Sequence, residues 1–205
     1  PSLWIKREDL SSPLYGGNKV RKLEFILADA MRKGRDKIVT MGGIGTNHGL
    51  ATAIFCQQLG LRAKLCLFPQ PVTAYVQQNL LLFQKFGAEL ATYKTMIGAG
   101  LALQTSQRLR HPRAYFLHAG GSSPMGTVGI VNAMFELKAQ VTAGLLPEPD
   151  IIFCPLGSSG MVAGLALGGV LAALQSRVVG VRITYDHMGP IQIANKLTVK
   201  ALMCQ

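Results

Sequence analysis

The stretch KIVTMGGIGTNHGLATAIFCQQL, residues 37–59, decides the fold. Its opening, Lys37-Ile38-Val39-Thr40-Met41, is a β-type apolar run; Gly42-Gly43-Ile44-Gly45-Thr46-Asn47-His48 is a glycine-rich turn; Leu50 to Leu59 carries apolar residues at helical spacing. A strand that passes through such a turn into a helix is the building unit of a parallel sheet. In open parallel sheets ligands bind beyond the carboxyl ends of the strands, where glycine-rich loops lead into helix N-termini.

The alternation continues on both sides. Further strands are predicted at Leu3–Lys6, Ala63–Phe68, Glu89–Tyr93, Ala114–Leu117, Asp150–Cys154 and Arg177–Ile183, and their continuous apolar runs suit strands buried on both faces. Between them, Val20, Leu23, Ile26, Leu27, Ala30 and Met31 recur at helical spacing before Gly34. Similar patterns run over Thr73–Phe86, Leu101–Leu109, Thr127–Val141 and Val162–Leu174. The sequence thus predicts an α/β fold of three layers, mostly parallel sheets with helices on both faces. Two more glycine-rich loops, Gly120-Gly121-Ser122-Ser123 and Gly157-Ser158-Ser159-Gly160, each follow a strand, and all three are expected to converge on one cleft.

Composition narrows the function classes. With 205 residues, 49% of them hydrophobic, the chain is long enough to bury a sizeable core. The apolar run Met161–Leu174 is interrupted by Gly164, Gly168 and Gly169 and is too short for a membrane span, so no membrane partner is expected. The formal charge of +11 is dispersed rather than gathered into one stripe, which argues against nucleic acid and for a protein that handles anionic small molecules. Cys56, Cys66, Cys154 and Cys204 lie far apart with no C-x-x-C pair, and His48, His111, His118 and His187 have no metal-ligand spacing. The expectation is reduced thiols, a cytoplasmic protein and no metal.

The candidate chemistry gathers at a few positions. Lys19 follows Gly16-Gly17-Asn18 and starts a helix, where the positive end of the dipole disfavours a second positive charge and lowers its pKa. Such an amine suits a Schiff base with an aldehyde, although a solitary lysine beside a helix cap is commonly just solvated. Gly157-Ser158-Ser159-Gly160 follows Ile151–Leu156 and opens a helix, as a phosphate cradle does; a Gly-Ser turn without a ligand has the same form. Thr46, Asn47 and His48 stand where a carboxylate would meet a helix N-terminus, Asn47 can donate to a phenolic oxygen, and His48 reads more readily as a capping histidine than as a proton carrier. Tyr75 and Tyr185 could serve as acids in a cleft but read more readily as packing residues. The dinucleotide fingerprint fails because His48 stands where the third glycine is required.

Taken together, Lys6-Arg7-Glu8-Asp9-Leu10, Gly16-Gly17-Asn18-Lys19-Val20-Arg21-Lys22-Leu23-Glu24, Thr46-Asn47-His48, Gly120-Gly121-Ser122-Ser123 and Gly157–Gly160 resemble the 1-aminocyclopropane-1-carboxylate deaminase and D-cysteine desulfhydrase family. The resemblance implies a fold-type II (tryptophan synthase beta-like) enzyme using pyridoxal 5'-phosphate (PLP). Lys19 would form the Schiff base, Asn47 would bond the ring oxygen, and Gly157, Ser158, Ser159, Gly160 and the Met161 backbone would hold the phosphate. Thr46 would replace a catalytic serine, with Thr46, Asn47 and His48 holding a small amino-acid substrate. It implies release of ammonia and a 2-oxo acid, a homodimer, a larger domain of residues 1–36 and 121–205, and a smaller one of 37–120. Family members continue past the point where this chain ends, so the chain is expected to lack its C-terminal part. The alternative is a truncated or non-catalytic PLP-binding protein.

Overall fold

The computed structural model describes residues 2–183, which form two compact units, one reaching to Gly121 and the other beginning at Ser122. The first unit is a four-stranded, wholly parallel sheet in the order β3-β2-β1-β4. Its strands are β1 (Lys37–Gly43), β2 (Arg62–Phe68), β3 (Glu89–Thr92) and β4 (Tyr115–Phe116). Its helices are α1 (Asn18–Arg32), α2 (Asn47–Gln58), α3 (Ala74–Lys85), α4 (Met96–Gln104) and α5 (Ser106–Arg110).

Side chains alternate across a strand, and this sheet is covered on both faces accordingly. Val39, Met41 and Cys66 pack against Ala99 and Leu103 of α4, while Leu65 and Leu67 pack against Leu50 and Ile54 of α2 and Phe83 of α3. α1 buries Leu23, Ile26, Leu27 and Ala30. Two ionisable groups, Lys22 and Asp29, are buried with them. Asp29 accepts from Arg32 (2.8 Å), Lys33 (2.6 Å) and the Tyr115 hydroxyl (2.8 Å), which ties α1 to β4. Burial alone raises the Asp29 carboxyl, but the bonds from Lys33, Arg32 and Tyr115 overcome it and hold the group at about 2.

The second unit pairs β5 (Ile151–Leu156) with β6 (Arg177–Arg182) in parallel and sets α6 (Pro124–Thr142) and α7 (Gly160–Leu171) against them. Ile130, Met134 and Leu137 of α6 share a core with Leu165 of α7 and Cys154 of β5. The helices approach so closely that a Cβ on Gly164 would lie 2.5 Å from the Ile130 Cβ.

Several sequence expectations change. Leu3–Lys6 forms no strand, and Leu3 and Ile5 are 89% and 76% exposed; an extended segment becomes a strand only where a ladder partner meets it. The helix expected over Leu101–Leu109 is two, because Thr105 leaves helical dihedrals at φ −118°, ψ −88°. β5, expected to be buried on both faces, buries Cys154 but exposes Ile151 and Phe153, since α6 and α7 lie on the Cys154 side. Cys56, Cys66 and Cys154 are buried free thiols, while Cys204, Tyr185 and His187 lie outside the described residues. Among the described residues no helix is long and apolar enough to cross a membrane.

Neighbouring glycines of α7 are expected to respond oppositely to alanine. A Cβ at position 168 would lie 2.7 Å from the Val131 carbonyl oxygen and 2.9 Å from the Met134 Cβ, whereas one at 169 meets the flexible Met134 Cε at 3.5 Å. In urea unfolding, Gly168→Ala should destabilise by about 1–3 kcal/mol. Gly169→Ala should stabilise by up to ~1 kcal/mol through helix propensity.

Candidate functional site

The loop before Lys19 is shaped by close backbone approach. Gly17 has φ +113° and donates its N–H to the Glu8 carbonyl oxygen (2.6 Å), a conformation that L side chains rarely adopt. A Cβ on Gly16 would sit 1.7 Å from the Asp9 carbonyl oxygen, so only glycine fits. Arg21 Nε then donates to Glu8 Oε2 (2.7 Å), clamping the 3₁₀ turn Glu8–Leu10 onto the first turns of α1. Lys19 is left half-buried in the first turn of that helix, with Nζ 3.3 Å from Asn18 Oδ1.

Burial lowers the Lys19 amine, so desolvation, rather than the helix dipole invoked from sequence, is the cause the structure supplies. One helical turn on, Lys22 is 1% exposed, donates to the Gly120 carbonyl oxygen (3.2 Å), and is brought down to about 7 by burial and then by Lys19. The same burial, followed by the two lysines, holds His48 near 3, and it is therefore neutral. Its tautomer follows from its partner. Thr40 Oγ1 donates to the Leu117 carbonyl oxygen (3.2 Å), so it can only accept from His48 Nε2 (3.0 Å). Nε2 carries the proton, and Nδ1 is a buried lone pair without a partner among the described residues. A Cβ on Gly121 would lie 3.2 Å from the His48 Cε1. The turn at 119–121 thus meets α1 and α2 beside the two amines.

The loop after β1 wraps tightly about Thr46. A Cβ on Gly42 would lie 2.7 Å from the Thr46 side chain, and one on Gly49 would lie 2.5 Å from Thr46 Cγ2. Thr46 caps α2 by accepting from the Gly49 N–H (3.3 Å) and keeps its own hydroxyl proton as a donor. Asn47 is exposed and its Oδ1 accepts from the Tyr75 hydroxyl (2.6 Å) and from Asn79 Nδ2 (3.1 Å). Tyr75 is thus a hydrogen-bonding residue that is 52% exposed, correcting its reading as packing.

In the second unit, α7 begins differently from α2, α3, α4 and α6, each of which has a Thr or Ser side chain accepting a backbone N–H at its start. The N-cap of α7, Ser159, stands in left-handed conformation at φ 65° and makes no side-chain cap. Ser122 Oγ donates to Ser158 Oγ (2.7 Å). The Gly160 N–H turns to the Ser158 carbonyl oxygen (2.9 Å), while the Ser158 hydroxyl, accepting from Ser122, keeps its own proton as a donor; with the dipole of α7 behind it, this uncapped helix start suits an anion such as a phosphate. Met161 offers such an anion only its backbone. Taken unit by unit, the Lys19 amine of lowered basicity in the first has the chemistry an aldehyde requires, and the start of α7 in the second has that of a phosphate site, so the residues of each fit PLP.

Lys22, Asn79 and Tyr15 were not singled out from sequence. For the first two a signal existed. Lys22 falls on the stripe of Leu23, Ile26 and Ala30, and Asn79 lies between Val76 and Phe83 on the buried face of α3, so each is a polar residue at a core position.

Residues 1–197 match the family described as pyridoxal-phosphate dependent enzyme. The chain is 34% identical over 190 residues to the mitochondrial bifunctional D-cysteine desulfhydrase/1-aminocyclopropane-1-carboxylate deaminase of Arabidopsis thaliana, covering 86% of this chain and 47% of that protein. It is 34% identical over 174 residues to the D-cysteine desulfhydrase of Salmonella choleraesuis (81% and 52%). It is 31% identical over 207 residues to the nocardicin C-9' epimerase of Nocardia uniformis (97% and 63%). The chain thus spans about half to three-fifths of the curated relatives it matches. Among solved structures, an ACC deaminase homologue superposes with a TM-score of 0.82 at 32% identity, covering 97% of this chain and 60% of that one. A threonine deaminase shares the fold at a TM-score of 0.64 and 23% identity, covering 82% and 50%.

The buried amines give a pH signature of stability. Lys22 has its folded value near 7, below the ordinary 10.5, so between the two it is charged in the unfolded chain and neutral in the native one. Native stability therefore rises as pH climbs through that window and is lost as pH falls towards 7. Lys22→Met should be more stable than the wild type at pH 7, with an advantage that shrinks steadily towards pH 10 in denaturant titrations. A constant gap would mean that Lys22 is not desolvated.

Proposed function

Because the chain belongs to the pyridoxal-phosphate-dependent enzyme family, we propose that it carries PLP on Lys19 and acts as a deaminase or lyase on a small amino acid. The reaction is of the D-cysteine desulfhydrase or 1-aminocyclopropane-1-carboxylate deaminase kind and releases ammonia and a 2-oxo acid. The observation that carries this reading is the Lys19 amine, half-buried, lowered by burial, and without a carboxylate partner among the described residues. Lys22, the more strongly shifted amine, is 1% exposed and spent on a backbone carbonyl, so it is the poorer candidate to meet an aldehyde.

When bound, the cofactor supplies an electron sink for charge that develops at the substrate carbon next to its amine. The chain's own residues do the rest. Lys19, as a neutral amine, moves the proton at the substrate's α- or β-carbon. The Asn47 amide donates to the ring oxygen. The start of α7, through Gly157, Ser158, Ser159, Gly160 and the Met161 backbone, would hold the phosphate, helped by the helix dipole. Thr46, with its free hydroxyl proton, and the N-terminus of α2 hold the substrate carboxylate. Neutral His48, hydrogen-bonded to Thr40, supports the start of α2 beneath them and adds no charge beside the two amines.

The reading assigns residues 1–36 and 121–205 to a larger cofactor-binding domain and 37–120 to a smaller one. It takes the protein to be a homodimer and to be cytoplasmic; the buried free thiols Cys56, Cys66 and Cys154 support the second of these.

Added PLP is expected to give the chain a visible absorbance band that Lys19→Ala lacks. The polypeptide carrying this sequence is expected to release a 2-oxo acid from D-cysteine or 1-aminocyclopropane-1-carboxylate in a coupled dehydrogenase assay. A band without product from either substrate would reduce the reading to cofactor binding, and the absence of any band would remove it.

A further inference from the structure

Asn79 is a polar side chain that is 1% exposed, on the face of α3 that also buries Val76 and Phe83. Its amide orientation is fixed by chemistry. Nδ2 lies 2.8 Å from the Gly45 carbonyl oxygen, and a carbonyl only accepts, so the atom facing it must be the NH₂. The second proton of that NH₂ points to Asn47 at 3.1 Å, so the Asn47 atom opposite it must be the acceptor Oδ1. The Tyr75 hydroxyl, one turn before Asn79 on the same helix, donates to the same oxygen at 2.6 Å. Two donors on Oδ1 leave the Asn47 NH₂ as the free end of the amide. Asn47 is exposed, and among the described residues its Nδ2 meets no acceptor.

The network reaches further. Burial pushes the Tyr15 hydroxyl up to about 12, and Tyr75 adds to this both as a neighbouring phenol and as the acceptor of its hydrogen bond. Tyr15 immediately precedes Gly16-Gly17-Asn18-Lys19, so a chain of bonds runs from the loop before Lys19 through Tyr75 to Asn47, and from Asn79 to the Gly45 carbonyl. Gly45 is itself pressed on α3, since a Cβ there would lie 2.6 Å from Val76 Cγ2.

We propose that Asn79 and Tyr75 are positioning residues that lock the Asn47 amide with its NH₂ outward, as a fixed donor to the anionic ring oxygen of the cofactor. The inference rests on the PLP reading above and adds to it the polarity of one contact and the residues that set it. Without them the amide turns freely and presents oxygen as readily as NH₂. A donor on the ring oxygen favours its anionic form, so its loss makes the lysine-bound cofactor hold its proton to higher pH.

The test is a pH titration of the visible band of the PLP-loaded chain. Asn79→Asp replaces the fixing donor by an acceptor and should raise the midpoint by about one unit, a tenfold change in the proton equilibrium. Tyr75→Phe removes one of the two donors at a half-exposed position, should leave the melting temperature unchanged, and should raise the midpoint by about half as much. The other ionisable groups around this chain of contacts, Tyr15, Lys19, Lys22 and His48, are the same in all three proteins. A purely structural role for Asn79 would lower the melting temperature and leave the midpoint in place. If Asn79→Asp does not fold, Tyr75→Phe decides. A midpoint equal to that of the wild type in the folded variants overturns the inference while leaving the cofactor assignment standing; a wild-type chain without a band overturns both.

Discussion

Two amines three residues apart on α1, both withdrawn from water beside a neutral histidine, set the terms for the rest of this site. Withdrawing a charge from water is costly, and here burial lowers the basicity of Lys19 and Lys22 and keeps His48 unprotonated. Stability would be better served by leucines. Reactivity is served by the arrangement found, because an amine of lowered basicity gives up its proton more readily and is then a nucleophile and a base. The supporting structure follows from holding that turn in place: Gly16 and Gly17 admit the Glu8–Leu10 turn, Arg21 is fixed on Glu8, and Asp29 ties the far end of the helix to Tyr115.

Polar groups elsewhere in the chain divide into those that are satisfied and those held ready. Threonine and serine caps close α2, α3, α4 and α6, and Asn79 spends both of its NH₂ protons. In the first unit the exceptions are the outward NH₂ of Asn47 and, among the described residues, the buried Nδ1 of His48. Since an unmet buried polar group costs free energy, such exceptions persist where a ligand or a reaction uses them.

Much of this was legible in the sequence. The strand, glycine turn and helix of residues 37–59 read correctly because period-2 and period-3.6 patterns are properties of the local chain. Gly16-Gly17-Asn18-Lys19 was legible as a place of close approach, though not that Asp9 makes the approach. What escaped reading depends on tertiary partners. Leu3–Lys6 has strand composition but no ladder, β5 shows on one face an apolar run that implied two, and the role of Tyr75 depends on a residue 28 positions earlier. The cause of the Lys19 shift was misassigned for the same reason, since a helix start is visible in sequence and desolvation is not. Lys22 and Asn79 lay within reach, because a polar residue inside an apolar helical stripe is an anomaly of the pattern itself.

The account stands on which of two neighbouring amines carries the cofactor. A ranking by basicity alone points to Lys22, and accessibility points to Lys19. Borohydride reduction of the PLP-loaded chain, followed by peptide mapping, separates them directly. The pyridoxyl group is expected on Lys19, with Lys22 unmodified; a label on Lys22, or one spread over surface lysines such as Lys6, would contradict the site described here.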